Sequence, residues 1–158
     1  MDPITDHQIE IDPPHLDDPH ANRLYDYWRD VRGGRPRPVW AEIDLMAIHD
    51  IAPYITVKDV IDGGADFRNR FFGTGLVRIL GYDGTGKSLI GSYSGDRLAL
   101  VLDVCRTSLS TLKPLRSYRQ IFWADQREHW NYTCLYLPLD GEAGTPAHLI
   151  TVFDFDEI

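Results

Sequence analysis

Three stretches rich in Tyr, Trp, Ile, Val and Phe close the chain, at 115–124, 129–137 and 148–155, and they limit its fold more than any other feature. Asp125-Gln126-Arg127 joins the first two tightly, and the turn-rich Asp140-Gly141-Glu142-Ala143-Gly144 joins the last two. Such short links turn the chain back on itself, so the three strands are expected to run antiparallel. A second pair is predicted upstream. Ile55, Val57 and Ile61 alternate as a strand does, and Phe67, Asn69 and Phe71 alternate against Arg68 and Arg70. Asp62-Gly63-Gly64-Ala65-Asp66 turns between them. Thr74 to Leu80 reads as a short helix capped by Thr74 and stopped by Gly81. Asp96 to about Leu112 is the clearest helix, with Leu98, Val101, Leu102, Cys105, Leu109 and Leu112 on one face and Pro114 as its stop. Five strands with helices gathered on one face make an α+β domain.

Leu24, Tyr27, Trp28 and Val31 fall at i, i+3, i+4 and i+7, which predicts an amphipathic helix over 20–32 ended by Gly33-Gly34. A stiff connector over 33–38 follows, and a short helix is predicted at Asp44–Asp50, with Asp44 as cap and Pro53 beyond it. The helical stripe must bury itself against its own domain or a second copy of the chain. The closing strands carry apolar residues in both parities, so both sheet faces should be covered, the outer one by helix 20–32. An interface with a second copy or a signalling partner is expected on Leu24, Tyr27, Trp28 and Val31.

The net charge of −8 is unevenly placed. Six of the 24 acidic residues and none of the 16 basic ones lie in residues 1–19. That stretch, with Pro3, Pro13, Pro14 and Pro19, is expected to form an unstructured acidic tail, and 20–158 a single domain. The remaining 18 acidic and 16 basic residues nearly cancel, which gives no footprint for a phosphate backbone and argues against nucleic acid. The longest apolar run, Leu98–Leu102, is far below the ~20 residues of a membrane helix. No basic, apolar leader opens the chain, so a cytoplasmic protein is expected. Two cysteines, Cys105 and Cys134, do not make a disulfide scaffold; each sits on an apolar element as buried thiols do.

Gly81-Tyr82-Asp83-Gly84-Thr85-Gly86-Lys87-Ser88 fits the spacing of a phosphate-binding loop. Its context does not. That loop needs a buried strand before it and a helix after it, whereas Leu76–Leu80 reads as helix and Leu89–Gly95 starts none. No paired metal spacing links His49, His129 and His148, from which any haem ligand would have to come, and no metal site is expected. No Ser lies in a nucleophile elbow. No catalytic residue is assigned.

Leu24-x-x-Tyr27-Trp28, Arg37-Pro38-x-Trp40-x-x-Ile43-Asp44 and Ile51-x-Pro53 resemble the opening of a bacterial family of small PAS-like sensory proteins. Asp66-Phe67-Arg68-x-Arg70-x-x-Gly73-Thr74, Leu80-Gly81, Thr85-Gly86-Lys87 and Tyr136-Leu137-Pro138-Leu139-Asp140-Gly141 continue the match to about residue 155. The resemblance implies a PAS fold, one five-stranded antiparallel sheet whose inner face and neighbouring helices can enclose a small ligand. It also implies a non-enzymatic sensory or regulatory module that acts by binding a ligand or a protein, here without an output domain of its own. It brings no established cofactor or ligand. Arg70, Tyr118 and His129 are the candidate ligand contacts, although Arg68 and Arg70 are more simply read as a solvated face or a partner for Asp59. The competing reading is a small cavity enzyme or carrier on a similar sheet, with His129 or Asp154 as its titrating group.

Overall fold

The computed structural model describes residues 8–120 and 130–157. Fourteen residues of helix α1, Pro19–Arg32, follow a short first strand, β1, Gln8–Ile11. Short 3-10 turns then lead to the hairpin β2, Ile55–Ile61, and β3, Asp66–Phe72. Helices α2, Thr74–Leu80, α3, Leu89–Ser92, and α4, Gly95–Thr111, come next. Strands β4, Leu115–Gln120, β5, Trp130–Asp140, and β6, Pro146–Glu157, complete the order. One sheet holds all six strands in the order β1-β4-β5-β6-β2-β3, each pair antiparallel.

Both parities of the central strands are buried, as their composition predicts. On β5, Tyr132, Cys134 and Tyr136 join Phe67, Leu76, Leu89, Cys105 and Leu149 in a core under α2, α3 and α4, the inner face. Leu135, Leu137 and Leu139 point the other way, into a core with Leu24, Trp28, Ile48, Ile55, Val57, Ile150 and Val152 under α1, the outer face. Each fully buried large side chain contributes roughly 1.5–3 kcal/mol of transfer free energy, so the two layers together outweigh any single polar contact described below.

α1 owes its position to β6. Its first free amides, of His20 and Ala21, donate to the Asp154 carboxylate at 3.0 and 3.1 Å, a cap supplied from across the fold. Trp28 is buried and donates its Nε1–H to Pro138 O at 2.9 Å. The connector 33–38 is pinned at its end: Arg37 meets Asp140 at 2.7 Å, and the Asp140 amide donates to Pro38 O. Asp44 caps the following 3-10 turn by accepting from the Met46 amide, as expected.

Four expectations are corrected. Residues 8–18 are not a free tail: Gln8–Ile11 adds a sixth strand to β4, and Arg116 holds Glu10 and Asp18 at 2.8 Å each. Opposite charge, absent from the stretch itself, comes from β4. Thr74 does not cap α2, whose N-cap is Gly73. There a Cβ would collide with Pro53 O, so only glycine lets the helix start against that turn. Leu89–Ser92 forms one turn of helix, capped by the Ser88 hydroxyl, where none was expected. The buried positions of α4 also include Leu100 and Val104, beside the predicted Leu102 and Cys105; Val104 joins the core under the helices, on a wider stripe than the periodicity marks. The turn at 125–127 lies outside the described residues.

Candidate functional site

The inner face contains one charge that apolar packing does not explain. Lys58 points from β2 into the core with 6% of its surface exposed. Thr56 and Thr151 join their hydroxyls across β2 and β6, and the Lys58 ammonium donates to Thr56 Oγ1 at 2.7 Å. An ammonium carries three donors, and among the described residues this hydroxyl meets one of them. Burial lowers the pKa of the Lys58 ammonium from the usual lysine range, because the site solvates a cation poorly. Burial likewise raises the thiol of Cys105 to about 11 and that of Cys134 to about 12. Both thiols are therefore protonated and inert at neutral pH, the structural role expected of them.

Lys58 lines a small cavity of about 40 Å³, with Thr56, Tyr132 and Tyr136 on the sheet and Leu80, Leu89 and Val101 on the helices. Liquid water occupies ~30 Å³ per molecule, so this space takes one water and no larger guest. On the far side of Tyr82, Tyr93 and Arg97 lies an open groove of about 780 Å³, lined also by Arg68, Gly86, Lys87, Ser88, Gly91 and Ser92. The same three side chains line both spaces and so form the partition between them. Arg97 stacks over the Tyr93 ring at 4.0 Å and over Tyr82 at 5.3 Å, while the two tyrosine rings meet edge to face at 5.9 Å. Aromatic and cation–π contacts join the three side chains of this wall.

The loop that mimics a phosphate-binding motif builds one side of the groove. Its amides are already engaged by the edge of β3: Gly86 N–H donates to Asn69 O and Asn69 N–H to Lys87 O. Helix α2 precedes the loop and one helical turn follows it, so it lacks the strand that a nucleotide-hydrolysing loop needs.

The candidate contacts named from sequence do not converge. Arg70 sits on the outer side, paired with Asp59 at 2.9 Å, the simpler of its two readings. His148 also meets Asp59, at 2.8 Å. Tyr118, on β4 between the inward Ser117 and Arg119, stands opposite Thr133 of β5 and lines neither the cavity nor the groove. His129 lies outside the described residues. Asp154 caps α1 and is no cavity acid. Leu24 and Trp28 are buried against the chain's own sheet, and Tyr27 exchanges hydrogen bonds with the Asp44 backbone. Val31 is half-buried. Lys58, Tyr82, Tyr93 and Arg97 were missed; in the sequence Lys58 shares its parity with Thr56, opposite to Ile55 and Val57, and reads as part of a solvated face. Among the described residues, no three His, Cys, Asp or Glu side chains gather as metal ligands. No helix among them is long and apolar enough to cross a membrane.

With the sheet order and the inner cavity in place, comparison with known proteins is decisive. A family model described as PAS domain matches residues 16–153. The chain belongs to the PAS domain family. Its fold is similar to that of an RNA-binding light-oxygen-voltage receptor, with a TM-score of 0.53 at 16% identity over 94% of this chain and 38% of that one. This PAS domain thus spans well under half of that chain's length. A sensory box histidine kinase/response regulator from Burkholderia thailandensis E264 matches with a TM-score of 0.43 at 13% identity, over 72% of this chain and 83% of that one. No curated protein matches. The expected α+β class and the PAS resemblance both stand, with one strand more than foreseen.

Proposed function

We propose that this PAS domain is a non-enzymatic sensory module that takes a small molecule into its inner face and answers by protein contact. The observation that carries the reading is Lys58: a buried ammonium with donors to spare, behind a side-chain wall that separates one water's volume from a wide groove. A guest bearing an oxygen acceptor completes Lys58 and props the Tyr82–Tyr93–Arg97 wall open. That displaces α3 and α4 relative to the sheet, a mechanical output needing no catalysis. The output surface we propose is the α1 side around Tyr27 and Val31, offered to a second copy or a signalling protein. Nucleic acid has no part in this reading, because basic and acidic residues nearly balance beyond residue 19.

Native mass spectrometry of the purified protein, with a denatured control, tests the sensory half. A non-covalent adduct that is lost on denaturation, and absent from Lys58→Met prepared in the same way, is the expected result. A clean mass after incubation with cell extract, or an adduct indifferent to Lys58→Met, overturns it.

A further inference from the structure

Gln8–Ile11 lies along β4 in four register pairs, and of its side chains Ile9 alone packs against the inner core. Arg116 clasps it from β4, meeting Glu10 of the strand and Asp18 at the foot of α1 at 2.8 Å each. Between those two acids runs the connection Asp12-Pro13-Pro14-His15-Leu16-Asp17, which carries the chain from the β4 edge back to α1. Its first residue stands in a backbone state that its sequence opposes. Asp12 has φ 53°, and residues other than glycine seldom take a positive φ. A residue before proline is also steered by the ring toward extended geometry, with φ about −120°. Asp12 precedes Pro13 and so meets both objections at once. Its amide is held in place by donating to Pro114 O at 2.7 Å. The strain therefore sits in the connection, whereas the pairing it serves is indifferent to which chain supplies the strand.

From this we infer that Gln8–Ile11 is exchanged between two copies of the chain, with Asp12-Pro13-Pro14 opening into an extended hinge. Each β4 edge then receives the same strand in the same register from the other copy. Arg116 keeps Asp18 of its own chain and takes Glu10 from the second copy, so the ladder and both ion pairs are preserved while two strained hinges are released. Exchange creates no new interface. It competes with the effective concentration of the tethered strand, on the order of millimolar for a short flexible link and lower where the link resists closure. A strand that left without replacement would bare the backbone of Leu115–Tyr118, an edge open to pairing with other chains. The second copy is the occupant whose register and charges already fit that edge. The inference stands apart from the sensory reading, since none of these residues lines the cavity or the groove.

The test follows the solution mass of the full chain by light scattering from roughly 10 µM to 1 mM, a range that spans the effective concentration, after warming and slow cooling. The mass is expected to rise toward two copies. In an equal mixture of isotope-labelled and unlabelled protein, filtered NOE spectra are expected to show Ile9 of one copy against Ser117 of the other, the residues that face each other in the register. Asp12→Gly accepts a positive φ, so it relaxes the closed connection. It is expected to weaken dimerisation by roughly tenfold or more, with the fold kept. A single-copy mass throughout, a dimer that lacks the Ile9–Ser117 contact between copies, or an Asp12→Gly dimer as tight as the parent's would each overturn the inference.

Discussion

At Lys58 two ordinary tendencies collide, since a lysine seeks water and a strand with both faces covered offers none. The outcome can be read as a function of pH. Burial lowers the folded-state pKa below the unfolded value of ~10.4, so between the two the unfolded chain holds a proton that the folded one lacks. Stability from this group is therefore highest above the unfolded value and falls as pH drops toward the folded one, where the penalty becomes complete. Lys58→Met fills the same space without charge. It is expected to raise stability at neutral pH by roughly 1–3 kcal/mol and to flatten the alkaline rise, both visible in urea unfolding between neutral and alkaline pH. A methionine variant less stable than the parent would show that Lys58 is well solvated inside the fold.

Among the elements, α1 carries the clearest energetic claim. Trp28 is buried on β5 and β6 and its indole N–H is satisfied by Pro138 O, so Trp28→Ala opens a cavity and strands a carbonyl. The expected cost is about 3–5 kcal/mol in urea unfolding, with the solution mass unchanged. A cost under about 1 kcal/mol together with a halved mass would instead mean that the ring's main partner is a second copy. Elements of this kind were legible in the sequence because one periodicity runs through each: 3.6 along Leu24, Tyr27, Trp28 and Val31, and 2.0 along β2 and β3. Gln8–Ile11 was not, since its pairing depends on Arg116, more than a hundred positions away. The Gly73 cap was hidden for a related reason, because the requirement for glycine comes from Pro53 in another turn. The site was the least legible part. Lys58, Lys87 and Arg97 belong to a strand, a loop and a helix whose periodicities say nothing about one another, and only the topology brings them to one path.

For the molecule as a whole, Arg116 is the clasp between the N-terminal stretch and the sheet. It binds Glu10 through one nitrogen and Asp18 through another, while the Asp12 amide donates to Pro114 O. Arg116→Ala leaves β1 with its backbone ladder alone. Amide exchange over Gln8–Ile11 is expected to quicken by roughly tenfold while β5 and β6 keep their protection. Uniform quickening across the sheet would mean that the stretch is part of the global folding unit and not a separable strap.

The sheet has six strands with β1 and β3 at its borders; β1 covers the edge of β4, and the 86–88 loop covers part of the edge of β3. β1 lies along Leu115–Tyr118 of β4, and Gly86–Ser88 lies along Arg68 and Asn69 of β3. Strand addition, the usual route by which exposed sheets grow into filaments or capture extended peptides, therefore finds no open template at these positions. An extended peptide that paired with the β4 edge would first have to displace Gln8–Ile11. In such an exchange the acidic N-terminal stretch would act as a built-in competitor for that edge, held in place by Arg116.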